Sequence, residues 1–298
     1  MREQGDQPEL NVKTVVYATD FSPFSENAGN YARLLALQFR TNLFVVHAFT
    51  LSQAALEVEI EGKLKRSKQR IDLQTILNQK ALALSSSSLE VVPELLEGDP
   101  HQAIPQFADK HGPSLIVLGT QGGGRVARGL IGSVAEKILR STSWPSFTVG
   151  PLAPSVSSSS VALPFKRLLC ATDFSPAAIR AIGFALSFVE TLGAEIDVLN
   201  VVPESAIEHP DRLAELRSHF YDTLDQFVPA RATDFSHPRT FVETGCAHDR
   251  ILEHVKDRSI DLLVLGIRKT SHLGLEMRTS GAFRVIVDAP CPVLTITG

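Results

Sequence analysis

The sequence predicts an α/β fold built as two tandem domains, each a five-stranded parallel open sheet flanked by helices. Three observations carry this. Segments recur in fixed order: VVYATDFSP at 15–23 returns as LLCATDFSP at 168–176, LIVLG at 115–119 as LLVLG at 262–266, and WPSFTVG at 144–150 as CPVLTIT at 291–297. Such ordered self-similarity marks a tandem duplication. The recurring pieces are short apolar runs without polar alternation, the signature of strands buried on both faces of a parallel sheet. Between them lie longer stretches with apolar residues at helical spacing, which supply the right-handed crossovers.

Taken in order, the first copy opens on the apolar run TVVYAT, a strand at about 14–19, and Asp20-Phe21-Ser22-Pro23 then starts a helix at 23–39. An aspartate or serine before a helix led by proline caps its amides while proline fills its first position. NLFVVHA at 42–48 reads as the second strand, 53–84 as a long amphipathic helix, and LEVVPEL at 89–95 as the third strand, with Ser85 to Ser88 as the loop before it. Helix 100–110, strand 114–119, helix 133–140 and strand 146–150 complete the unit. The second copy repeats it, with a shorter second helix at 210–227. The stretch PLAPSVSSSSVALP has a composition that resists packing and suits a linker. Domains are therefore expected at 1–150 and 165–298, joined by 151–164.

Composition narrows the function. The 298 residues are 44% hydrophobic and 21% charged, with a formal net charge of -4. That balance lacks the basic field that drives nucleic-acid binding. No window approaches the ~18 apolar residues a membrane span needs, and MREQGDQPEL is too polar for a signal peptide, so a cytoplasmic location is expected. Cys170, Cys246 and Cys291 lack CxxC spacing and are expected to be buried small hydrophobes rather than a disulfide framework. The histidines show no HExxH or Cys-His metal spacing; His47, at the end of a strand, reads as a satisfied near-core residue.

Chemistry is expected where the strands end at their carboxyl side, near the switch in strand order. There the first copy carries Gly119-x-x-Gly122, nine residues, and Gly132-Ser133 at a helix start. Glycines let backbone approach a phosphate and supply positive φ angles, and the unpaired amides of a helix start attract an anion. Arg125 and Arg128, in the intervening loop, are placed to reach outer phosphates. This is neither a Walker loop nor a GxGxxG fingerprint.

These motifs resemble those of the universal stress proteins in their tandem two-domain form, from Val12 to Gly298 apart from the linker. The resemblance rests on Gly119, Gly122, Gly132 and Ser133 together with the ATDFS signature at the first strand. It implies a Rossmann-like fold of the adenine nucleotide alpha hydrolase kind and an adenine nucleotide as ligand: ATP, with Mg²⁺ on its phosphates. It implies Asp20 beside adenine and ribose, Ala48 facing the base, Gly119 and Gly122 lining the approach, and Gly132, Ser133 and Val134 holding phosphates. Ala18 and Ala48 depart from the proline and valine common in related binders. The last strand of each copy is expected at a sheet edge, pairing the two domains as a pseudo-dimer and two chains as a homodimer.

In the second copy Lys269 stands for Gly122, and Thr279-Ser280 for Gly132-Ser133. That copy is expected to bind ATP weakly or not at all; a competing reading gives Arg268 and Lys269 a different anion. The leading function is a nucleotide-binding regulatory or stress-response protein. Slow ATP hydrolysis or autophosphorylation near Ser133, and a non-catalytic interaction scaffold, are the alternatives.

Overall fold

The structure, a computed structural model of the chain, describes residues 12–50, 59–112, 114–122, 130–206, 210–227, 238–268 and 281–298, and within helices the side chains of 59–66, 206, 210–213 and 224–227 are not described. The first copy contributes β1 (Thr14–Ala18), α1 (Pro23–Phe39), β2 (Asn42–Phe49), α2 (Glu59–Leu84), β3 (Val91–Glu97), α3 (Pro100–Lys110), β4 (Ser114–Gly119), α4 (Ser133–Ser141) and β5 (Ser146–Val149). The second contributes β6 (Arg167–Ala171), α5 (Pro176–Leu192), β7 (Glu195–Val202), α6 (Pro210–Phe227), β8 (Arg239–Thr244), α7 (Ala247–Asp257), β9 (Leu262–Ile267), α8 (Gly281–Asp288) and β10 (Val293–Thr297). Among the described residues no helix is long and apolar enough to cross a membrane.

All ten strands form one open sheet in the order β3-β2-β1-β4-β5-β10-β9-β6-β7-β8. Within each copy the pairing is parallel, and β1 lies between β2 and β4. The order reverses at that point, so helices leave to opposite faces and a crevice opens at the carboxyl ends of β1 and β4. The central strands are apolar because both faces are covered: every residue of β1 but Ala18 is buried, and all of β4 but Gly119.

The last strands do not end the sheet. β5 and β10 pair antiparallel, Thr148 opposite Val293, Phe147 opposite Leu294 and Ser146 opposite Thr295, which places them at its centre. The edge expected within each copy is consumed by the other copy, and the pseudo-dimer is intramolecular. One apolar core runs across this seam, including Tyr31, Phe147, Phe165, Phe188 and Leu294.

The segment between β5 and β6 departs from the expectation that it resists packing. Asn27 and Tyr31 donate to the Pro154 carbonyl, Asn30 to that of Val156 and Arg33 to that of Ser160. Its backbone carbonyls satisfy polar groups spaced along α1, and Ala153, Val156 and Leu163 pack on the core. The cysteines divide: Cys170 and Cys291 are buried as expected, whereas Cys246 is exposed at the N-cap of α7.

Candidate functional site

The site begins with the turn that carries β1 into α1. Thr19 is buried, and its Oγ1 accepts the Phe21 N–H at 3.0 Å. Asp20 Oδ1 accepts both the backbone N–H of Ser22, at 3.0 Å, and its hydroxyl, at 2.6 Å. These bonds hold Phe21 at φ 62°, a left-handed conformation costly for a bulky L-residue. The N-cap residue of α1 is Ser22, with Pro23 first in the helix. Asp20 shapes the turn before the cap and presents its carboxylate to the crevice.

β2 fixes the turn from the other side. His47 Nδ1 lies 2.8 Å from the Thr19 carbonyl, which only accepts, so Nδ1 carries the proton. The ring packs against Phe21 with centroids 4.2 Å apart. Burial pushes its pKa below 6.5 against the opposing pull of the Thr19 bond and the Asp20 charge. His47 is satisfied, as the sequence suggested, and it also lines the crevice.

At the other end β4 runs out at Gly119. Thr120 donates its N–H to Val149, and its carbonyl accepts the Gly132 N–H at 2.7 Å, closing a neck where chain leaves the sheet and returns. Gly132 is the N-cap of α4 and supplies no side chain to its first amides. Those amides, with the partial positive charge of the helix start, remain available to an anion. The glycines here serve space rather than rotation. Gly132 has φ -63°, and neither Gly119 nor Gly122 is among the positive-φ glycines, contrary to expectation. A Cβ on Gly122 would lie 2.6 Å from Asp20 Oδ2, and one on Gly132 would lie 3.3 Å from the Thr120 carbonyl.

Asp20, Ala48, Gly119, Gly122, Gly132, Ser133 and Val134 all line one cavity of about 250 Å³. Arg125 and Arg128 lie outside the described residues. Ile104 and Pro100 of α3 and Leu118 of β4 add apolar walls that sequence reasoning did not assign to the site. Their signal was present only as ordinary core periodicity. Thr120 was also missed: it is fully buried, and its Oγ1 has no hydrogen-bond partner.

The second copy repeats the turn. Phe174 stands at φ 57°, its N–H donates to Thr172 Oγ1 at 3.1 Å, and the Ser175 N–H donates to Asp173 Oδ1 at 2.9 Å. Asn200 takes the place of His47 and donates to the Thr172 carbonyl at 2.8 Å. Gly266, at the position of Gly119, has a packing reason of its own: a Cβ there would come within 2.4 Å of the Ala178 nitrogen. Lys269, Thr279 and Ser280 lie outside the described residues.

The profile of the universal stress protein family matches residues 11–149 and 164–297. The chain belongs to the universal stress protein family. A universal stress protein of Methanocaldococcus jannaschii is 29% identical over 138 residues, 46% of this chain and 81% of that protein. One from Thermus aquaticus is 33% identical over 134 residues, 45% of this chain and 95% of that protein. Among solved structures, a universal stress protein from Archaeoglobus fulgidus superposes with a TM-score of 0.70 at 22% identity, covering 96% of this chain and 99% of that one. A protein of unknown function from Pseudomonas aeruginosa gives 0.58 at 14% identity, covering 96% and 92%. At these identities the structural likeness speaks for the fold: a mostly parallel open α/β sheet in two units, each of the size of the single-domain relatives.

Proposed function

We propose that this universal stress protein is a regulatory protein that binds one ATP per chain, in the crevice of its first copy. The observation that carries the reading is the convergence of a carboxylate, Asp20, and an open helix start on one apolar-walled cavity. Asp20 offers acceptors to the ribose hydroxyls, Ala48 and Leu118 offer apolar surface to the base, Gly132 lets the phosphates come close, and the amides of Ser133 and Val134 face them. Arg125 and Arg128, on the loop between Gly122 and Gly132, add charge-assisted contacts in this reading.

Among the described residues no group of three or more His, Cys, Asp or Glu side chains is placed to hold a metal ion. Magnesium would enter on the phosphates, keeping most of its water, as Mg²⁺ does where carboxylates are few. What the chain contributes is binding and orientation, and occupancy is read out by partners through its conformation.

Equilibrium titration of the full chain with ATP tests this. Binding well below millimolar is expected, weakened at least tenfold by Gly122→Lys, whose side chain would start 2.6 Å from the Asp20 carboxylate. A titration that Gly122→Lys leaves unchanged would sink the assignment.

A further inference from the structure

We propose that the outer edge of β8 is an interface at which two copies of the chain join, antiparallel, into one longer sheet. β5 and β10, whose edges the sequence offered for such pairing, are bonded to each other at the centre. The sheet ends instead at β3 and β8, and the two ends differ.

In a parallel ladder, alternate residues turn both backbone groups to one neighbour, and the residues between turn theirs away. On β3 the Glu90 carbonyl bonds to Leu43 and the Gly98 N–H to Phe49, so the outward residues are Val91, Pro93, Leu95 and Glu97. Pro93, in the middle, has no N–H to give, which guards that edge. On β8 the Gly245 N–H bonds to Val202, and the register runs unbroken from Arg239 to Thr244. The outward residues here are Thr240, Val242 and Thr244. The Thr244 carbonyl already accepts Arg250 Nε–H at 3.0 Å, and Pro238, the outward residue before the strand, lacks an N–H. Thr240 and Val242 keep outward N–H and carbonyl groups that have no partner among the described residues.

These limits leave one register for self-pairing. A twofold axis at Phe241 sets Thr240 of each copy opposite Val242 of the other, and each such pair exchanges both N–H···O bonds. Moving the axis by one residue in either direction brings Pro238 or the occupied Thr244 into the ladder. The side chains agree with the same register. Arg239, Phe241 and Glu243 share the face of β8 that packs on α7, where Arg239 meets Asp197 and the other two meet His254. The axis places Arg239 of each copy opposite Glu243 of the other, and the two Phe241 rings opposite each other. Opposite charges and paired aromatics are the favoured cross-strand neighbours. The Arg239 and Glu243 side chains are 41% and 33% exposed, so each has surface left for a second partner. The segment 239–243 is thus complementary to itself, which makes a second copy of the chain the occupant that fits. A twofold pairing closes, and Pro93 guards the far end, so association stops at two chains.

Sedimentation equilibrium of the full chain, from low to high micromolar, tests this. A reversible rise from the mass of one chain to that of two is expected, and no further. Hydrogen exchange in the parent should slow over 239–244 as concentration rises, and not over 91–97. Thr240→Pro removes an N–H that the chain's own ladder does not use, and is expected to weaken the dimer about tenfold or more without lowering the unfolding midpoint. Glu97→Pro, at an outward position of β3, is expected to leave the dimer unchanged. A chain that stays single at high micromolar, association that continues past two, or a dimer that survives Thr240→Pro would overturn the inference. Should Thr240→Pro fail to fold, exchange in the parent decides: concentration-dependent protection over 239–244 supports the interface, and its absence overturns it.

Discussion

His47 and Asn200 do the same work with different chemistry. Each reaches from the second strand of its copy to the carbonyl of the threonine that precedes the aspartate, at 2.8 Å in both cases. This makes His47→Asn a substitution the fold has already tested, and it is expected to keep ATP affinity within about twofold of the parent. His47→Leu removes the donor and leaves the buried Thr19 carbonyl short of a partner, at a cost of about 1–3 kcal/mol in denaturant unfolding. The histidine adds a pH dependence that asparagine lacks. Because burial lowers its folded pKa below 6.5, the unfolded chain takes up the proton first, so stability is full above pH 6.5 and falls as pH drops toward the folded pKa. Unfolding curves of His47→Asn and the parent should therefore diverge below pH 6.5 and run parallel above it. The glycines separate in the same way. Gly266→Ala is expected to destabilise by about 1–3 kcal/mol, since its Cβ meets the Ala178 backbone at 2.4 Å, whereas nothing lies within 4 Å of a Cβ on Gly281. Asp20 and the loop glycines were legible in the sequence because close backbone approach restricts residue type. The partnership of His47 with Thr19 was not, because it depends on how β2 registers against β1 across 28 positions of chain.

At the scale of elements, the two copies solve the packing of their third helix differently. In the first, Phe44 of β2 meets Phe107 of α3 and His111 at its C-cap, with ring centroids 5.3 and 4.8 Å apart. In the second, the equivalent positions hold Asp197, His254 and Arg258, and the fully buried Asp197 carboxylate receives Arg258 at 2.6 Å, Arg239 at 2.8 Å and His254 at 3.2 Å. Burial raises the Asp197 pKa, and the bonds from His254, Arg258 and Arg239 together overcome it, holding the group below 3.8. Its contribution to stability is thus present above the ordinary carboxylate range and lost as pH falls through the folded pKa. Asp197→Ala strands the two arginine cations and is expected to cost about 3 kcal/mol at neutral pH, toward the low end for buried pairs because both arginines remain partly exposed. It should also flatten the acid limb of the stability profile. A variant as stable as the parent at pH 7 would contradict this account. The sequence showed that α3 and α7 exist and where they start; it did not show this exchange of aromatic for ionic packing, which emerges only when strand and helix faces are brought together.

For the whole molecule, the seam between β5 and β10 makes two repeats into one sheet with one core. Phe147 is fully buried there, against Tyr31 at 5.7 Å and Phe165 at 6.0 Å, and Phe147→Ala is expected to cost about 3–5 kcal/mol. Calorimetry should show a single unfolding transition for both copies; two separated transitions would mean that the shared core does not couple them. The duplication was legible because each copy keeps its order of strands, and the apolar last strands, edges within each copy, pointed to the pairing of the copies; that this pairing is antiparallel and makes one continuous sheet was not legible. Against this shared architecture the proposed reading assigns the functional difference between the copies to the loop after the fourth strand. The most direct measurement of it is the stoichiometry of ATP binding to the full chain. The account predicts one ATP per chain, abolished by Gly132→Thr. Two equivalents, or one that survives Gly132→Thr, would contradict it.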